Sequence, residues 1–192
     1  MSNLRNMILM GAAVMAAALA ALAASPAASD WQIGPVIKGR NYSVGMPPYM
    51  EPGRDGPGFD FPYPSASDGH VHYVTVPVRS LEGARTISLT YRIDAAPGVR
   101  FVAQQYPDQQ AILSLYFQRA GDRWTARTPH HRWYSPVNRA MPLAAGTHTV
   151  TIALDEPWKA MMGGDATALP AQFERAKEEA AVVGFVFGSS GG

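Results

Sequence analysis

Hydrophobic and polar residues alternate with a period of two in several short segments of the chain after residue 70. In residues 85–93 every second position from Ile87 onward is apolar, and the positions between carry threonine, serine or arginine. Clean alternation of this kind predicts a strand of an antiparallel sheet with one solvated face. The same pattern predicts further strands over residues 71–78, 111–119, 123–126, 147–154 and 181–187.

Two segments depart from this pattern. Phe173, Ala176 and Ala180 recur at helical spacing with charged residues between them, which predicts a short amphipathic helix over residues 170–180. Residues 45–69 contain six prolines interleaved with aromatic residues. This density of prolines predicts no regular element there, and the aromatic residues predict an ordered cover or binding loop. The whole pattern predicts an all-β jelly-roll sandwich of two antiparallel sheets, with one short helix near the C-terminus.

The N-terminal residues 1–29 differ from the rest of the chain. Arg5 is followed by a run of alanine, leucine and methionine and then by small residues. This order predicts a secretory signal peptide, cleaved after Ser29 or, alternatively, after Ala23. Because the apolar run is close to the ~20 residues that span a bilayer, an uncleaved anchor is the other alternative.

Residues 30–192 are predicted to form a single β-sandwich domain that is secreted or periplasmic. No later segment is long and apolar enough to span a membrane once the signal is removed. Sixteen basic and fifteen acidic residues leave a net charge of +1, which gives no electrostatic basis for nucleic-acid binding. The absence of cysteine excludes disulfides, thiolate metal sites and cysteine nucleophiles.

One stretch combines aromatic and arginine side chains in a way that suits sugar binding. Two tryptophans each follow an arginine, and a tyrosine follows the second tryptophan. Aromatic rings stack on the apolar faces of sugars, whereas arginine binds hydroxyl-rich ligands. The predicted ligand-binding residues are Trp124, Trp133, Tyr134, Arg123, Arg132 and Tyr116. The alternative is that the tryptophans close the core.

Histidine and aspartate residues suggest a divalent metal site as a further hypothesis. His70 and His72 would share one face of a strand, with Asp68 near enough to be a third ligand. The alternative is an ordinary polar pair at the start of a strand. A structural calcium on Asp55, Asp60 and Asp68 is also open, although these residues lack EF-hand spacing. No other cofactor is predicted.

Catalytic patterns are sparse. No nucleophile elbow, zinc-protease motif or phosphate-binding glycine loop is present. Tyr116 and Gln118 are predicted to share a sheet face, which Arg92 or His72 could join. Such a set favours one enzyme hypothesis, a polysaccharide lyase or glycoside hydrolase working on a sheet face.

The C-terminal third resembles a known family. A glycine-introduced strand over residues 143–154 is followed by Trp158, the predicted helix around Phe173, and the sequence VGFVFG at residues 183–188. This order resembles the galactose-binding domain-like jelly-roll modules, the carbohydrate-binding type of secreted bacterial proteins. The resemblance covers residues 143–188 and implies a jelly-roll fold, glycan binding and a structural role for Trp158.

The chain departs from that family after the VGFVFG sequence. Such modules continue with another strand, whereas only residues 189–192 follow here. Either the sandwich lacks that strand or residues 31–37 supply it. We therefore expect a secreted, non-catalytic module that binds a carbohydrate or other envelope polymer, such as an envelope polysaccharide. The alternatives are the lyase or hydrolase above and a structural or adhesion protein of the envelope.

Overall fold

The computed structural model describes residues 25–62, 71–103 and 106–188. Most of the predicted signal segment lies outside these residues, as do two of the candidate metal ligands, Asp68 and His70. Within the described ranges, no helix is long and apolar enough to cross a bilayer.

The described residues form short strands joined by turns, with one α-helix near the C-terminus. In chain order the elements are β1 (Gln32–Gly34), β2 (Val36–Ile37), β3 (Arg40–Asn41), β4 (Glu51–Gly53), β5 (Gly56–Gly58), β6 (Val71–Pro77), β7 (Thr86–Ile93), β8 (Ile112–Arg119), β9 (Arg132–Tyr134), β10 (Met141–Pro142), β11 (Gly146–Ala153), β12 (Lys159–Ala160), α1 (Pro170–Glu178) and β13 (Ala180–Gly188). The prediction of a mostly β protein with one short C-terminal helix is confirmed.

All strand pairs are antiparallel and belong to one large sheet and three small ones. The large sheet has seven strands in the order β1-β6-β13-β8-β9-β12, with β10 also paired to β8. Strands β7 and β11 pair along their whole length as a separate two-stranded sheet. The pairs β2–β3 and β4–β5 form two smaller hairpins.

One face of the large sheet shares a hydrophobic core with the β7–β11 sheet and with α1. The core includes Val74, Leu115, Phe117, Trp133 and Phe185 from the large sheet, Ile87, Val150 and Ile152 from the β7–β11 sheet, and Phe173 and Ala176 from α1. Predicted apolar positions from β6, β7, β8, β11 and β13 contribute to it, and Val76 of β6 is buried as well. Period-two patterning therefore assigned the inward faces of these strands correctly.

Two predictions of local structure are wrong. Residues 123–126 form a turn instead of a strand, because Trp124 has a φ of 57° and cannot continue an extended backbone. The next strand is β9. Residues 45–69 were expected to hold no regular element, yet β4 and β5 form a hairpin there. Pro52 pairs with Pro57 in this hairpin, and both strands are edge strands, in which proline is tolerated.

The segment before the proline-rich loop forms an edge strand. β1 pairs with β6 through Ile33, which faces Val74. Trp31 packs on Phe185 with ring centroids 6.1 Å apart. Of residues 31–37, Gln32–Gly34 therefore adds an edge strand to the large sheet, whereas Val36–Ile37 pairs with β3 in a separate hairpin.

Candidate functional site

The face of the large sheet that points away from the core carries three tyrosines from three strands. Tyr73 comes from β6, Tyr116 from β8 and Tyr134 from β9, and the last two are directly paired across their strands. The ring of Tyr116 lies 5.0 Å from that of Tyr73 and 5.2 Å from that of Tyr134. The hydroxyls of Tyr73 and Tyr134 are 2.8 Å apart. We call these three residues the tyrosine cluster.

The tyrosine cluster is a set of neutral hydrogen-bonding groups. Burial raises the pKa of Tyr116 well above its ordinary value, and it also raises the pKa of Tyr73 and of Tyr134. A phenol with a raised pKa is a poor general base at neutral pH. The cluster therefore consists of neutral phenols that can donate and accept hydrogen bonds.

Asp122 holds the loop between β8 and β9 in place. Its Oδ2 accepts a 2.8 Å hydrogen bond from Gln118 and lies 2.9 Å from Arg132 Nε, in an ion pair whose N–H is not aligned for a hydrogen bond. Its Oδ1 accepts from the Trp124 amide at 3.1 Å and from the Thr128 hydroxyl at 2.7 Å. The Asp122 side chain is 0% exposed and that of Arg132 is 4% exposed. This buried network fixes the loop in one conformation.

Trp124 is held beside the tyrosine cluster in an unusual backbone conformation. A φ of 57° lies in the left-handed region, which a bulky residue rarely adopts and which costs on the order of 1–3 kcal/mol. The Arg132 guanidinium lies 5.0 Å from the centre of the indole, and the Tyr73 ring meets it edge-on at 4.9 Å. Strain that several contacts maintain is typical of functional positions.

Trp124 lines a small cleft between the β8–β9 loop and the turn from β1 to β2. The cleft has a volume of about 210 Å³, and its lining includes Gln32, Pro35, Tyr73, Thr75, Gln118 and Trp124. We call it the outer cleft. No hydrogen bond within the described part of the chain engages the Thr75 hydroxyl or the Gln32 carboxamide. The volume is below the ~300–1,000 Å³ of drug-sized sites and suits one ring-sized group.

The structure brings most of the predicted ligand-binding residues together. Trp124, Tyr116, Tyr134 and Arg132 all lie on the outer face of the large sheet or in the loop beside it. Arg123 is exposed in that same loop. Four of the six predicted residues therefore form one contiguous group, with a fifth next to it in sequence.

Trp133 does not belong to this group. It is 0% exposed, its indole N–H donates to the His130 carbonyl at 2.9 Å, and its ring meets Phe173 at 4.8 Å. Neighbouring residues on a strand face opposite sides, so the outward positions of Arg132 and Tyr134 place Trp133 in the core. Trp133 therefore packs in the core instead of lining the outer face.

The structure also places one of the candidate metal ligands. His72 is buried on the core side of β6, stacked on Phe187 at 4.9 Å and 2.6 Å from the Ser43 hydroxyl through Nδ1. Asp68 and His70 lie outside the described residues. Among the described residues there is no group of three or more metal-binding side chains.

Only two residues of the enzyme hypothesis come together. Tyr116 and Gln118 share the outer face as predicted, with a 2.9 Å hydrogen bond between them. Arg92 instead lies on the β7–β11 sheet, where it pairs with Asp55 at 2.9 Å and so also engages one of the candidate calcium ligands. His72 faces the core. Neither basic residue reaches the tyrosine cluster.

Two central residues of the site were missed at the sequence level. Tyr73 was detectable, because the inward positions of Val74 and Val76 leave it facing outward. Asp122 gave no such signal. It falls in a predicted turn, where an aspartate is usually exposed. Only the folded structure shows it fully buried against Arg132.

Comparisons with known proteins add no family to this description. No protein-family model, curated protein or solved structure matches the chain. The resemblance of residues 143–188 to galactose-binding domain-like modules therefore stays a prediction.

Proposed function

We propose that the protein is an exported, non-catalytic carbohydrate-binding module whose outer cleft holds one sugar unit of a glycan or envelope polysaccharide. The observation that carries this proposal is the position of Trp124. The indole is fixed by the network around Asp122 and Arg132. It lines a cleft in which the Gln32 carboxamide and the Thr75 hydroxyl have no hydrogen-bond partner among the described residues.

The chemistry of this arrangement matches that of a sugar ring. A pyranose presents apolar C–H faces, which pack on an indole, and hydroxyls, which hydrogen-bond to carboxamides and hydroxyls. Trp124 supplies the first kind of surface, and Gln32 and Thr75 supply the second. Because Trp124 is already immobilised, binding costs little additional side-chain entropy.

The export and the finer fold are part of the same proposal. The apolar run before residue 25 supports a cleaved signal peptide and a secreted or periplasmic location. The core shared by the large sheet and the β7–β11 sheet supports a sandwich of the jelly-roll type. The order of motifs in residues 143–188 supports the galactose-binding domain-like relationship.

A glycan array with matched variants tests the binding role. Glycine accepts a φ of 57° without strain, so Trp124→Gly removes the indole while leaving the backbone compatible with the fold. We expect Trp124→Gly to lose glycan binding by at least about tenfold, a loss of ~1.4 kcal/mol. The control Tyr106→Ala removes an exposed ring that does not line the outer cleft and should bind as the wild type does.

Two results would contradict this function. Unchanged binding by Trp124→Gly would show that glycans bind elsewhere, and failure of the wild type to bind any glycan would favour the structural or adhesion alternative. Incubation with polysaccharides separates binding from catalysis. We expect no unsaturated or new reducing ends, whereas their release would establish the lyase or hydrolase alternative.

A further inference from the structure

We infer that the outer cleft selects uncharged sugar units over acidic ones such as uronic acids. This inference rests on the proposed function and names its ligand class. The reason is that both charged residues lining the cleft, Arg119 and Asp122, are already paired inside the protein.

Asp122 has no remaining capacity for a ligand. Both of its oxygens accept hydrogen bonds, and its side chain is completely buried. Its charge is balanced by Arg132 at 2.9 Å. The pair contributes no net positive charge that could attract a carboxylate.

Arg119 is engaged at all three of its nitrogens. Nε and Nη2 lie 2.8 Å and 2.7 Å from Glu179 Oε2, and Nη1 lies 3.3 Å from His131 Nε2. Glu179 also accepts from Arg175 at 3.0 Å. Hydrogen bonds from Arg119 and Arg175 lower the pKa of Glu179, so this counter-charge persists at neutral pH.

A carboxylate in the outer cleft would therefore lose water without gaining an unpaired cation from the residues that line the cleft. Leaving a charged group without a partner is unfavourable, whereas neutral hydroxyls can replace their water with Gln32 and Thr75. A hexose thus fits the chemistry of the cleft better than the corresponding hexuronate.

Matched methyl glycosides test this selectivity directly. The full exported protein would be titrated by calorimetry with the methyl glycosides of galactose, glucose and mannose and of the three corresponding uronic acids. Members of a pair differ only in the group at C6. We expect the hexosides that bind to do so at least about tenfold more tightly than their acidic partners.

The outcomes separate this inference from the proposed function. Equal or tighter binding of the uronic acid glycosides, lost in Trp124→Gly, would overturn the selectivity and leave the sugar site standing. Failure of all six compounds to bind would overturn both.

A charge variant tests the cause. Glu179→Gln removes the counter-charge of Arg119, so it should raise affinity for the acidic glycosides severalfold and leave hexoside binding unchanged. The control Glu174→Gln breaks a 2.9 Å pair with Lys177 on the same helix and should alter neither. An unchanged preference in Glu179→Gln would contradict the explanation by charge pairing.

Discussion

At the scale of single residues, Asp122 determines the conformation of the outer cleft. It is the common partner of Gln118, Arg132, Thr128 and the Trp124 amide. A buried ion pair is modest in net stability, but removing one member leaves the other charge uncompensated. The loop and the indole it presents therefore depend on this one carboxylate.

Asp122→Asn tests that dependence. The substitution leaves the Arg132 charge buried without its counter-charge, and we expect the free energy of unfolding to fall by about 3–5 kcal/mol. Chemical denaturation measures the difference. Asp165→Asn breaks a partly exposed pair with Lys159 and is the control, with an expected loss of no more than about 1 kcal/mol. Equal losses in the two variants would contradict the proposed role of Asp122.

At the scale of elements, helix α1 covers part of the core on the inner side of the large sheet. Pro170 starts it, as suits a first helical turn, and Phe173 packs edge-on against Trp133 at 4.8 Å and against Phe117 at 5.7 Å. The helix thus supports β9 from the core side, while Tyr134 and Arg132 of the same strand lie on the outer face, where they contact the tyrosine cluster and Trp124.

Phe173→Ala tests this support. Removal of a buried phenylalanine leaves a cavity, so we expect a loss of about 3–5 kcal/mol in the free energy of unfolding. Gln172→Ala, at an exposed position of the same helix, should stay within about 0.5 kcal/mol of the wild type. Similar stabilities of the two variants would show that the helix does not brace the core.

The elements that could be predicted from sequence are strands in which large apolar residues recur at every second position. In β7 and β11 the intervening residues are mostly polar and exposed, so burial follows this period. In β8 and β13 the inward residues follow the same period, but Tyr116 and Val186 on the opposite face are buried as well. The prediction of a strand over residues 123–126 was wrong. The residue types there suit a strand, whereas contacts with Asp122 and Arg132 hold Trp124 in a left-handed conformation. Tertiary contacts of this kind leave no periodic signal.

The candidate site was partly predictable for the same reason. Aromatic and arginine content indicated the stretch that contains Trp124 and Tyr134, but it could not say which ring faced outward. In β9, Trp133 points into the core and its neighbour Tyr134 points to the outer face. Burial of the Asp122–Arg132 pair and the contribution of Gln32 from a distant strand arise only from the fold.

At the scale of the whole molecule, His131 links stability to pH. Burial, followed by the nearby Arg119 charge, lowers the pKa of His131 in the folded protein. The unfolded chain therefore takes up a proton first as the pH falls below about 6.5. The contribution of His131 to stability is fully present above that pH and is lost as the pH falls toward the folded pKa.

Denaturation at several pH values checks this linkage. Relative to His131→Gln, the wild type should lose free energy of unfolding as the pH falls from about 7.5 through about 6.5 and below. Parallel pH profiles for the two proteins would contradict a lowered pKa of His131.

The most direct test of sugar binding at the outer cleft is the indole N–H spectrum of ¹⁵N-labelled protein during titration with the methyl hexosides. The Trp133 and Trp158 indoles donate to the His130 and Ala153 carbonyls in the core. Trp124→Gly assigns the Trp124 signal by removing it. We predict that the Trp124 signal shifts with saturation while the signals of Trp133 and Trp158 stay fixed. An unmoved Trp124 signal at saturating hexoside would contradict the account.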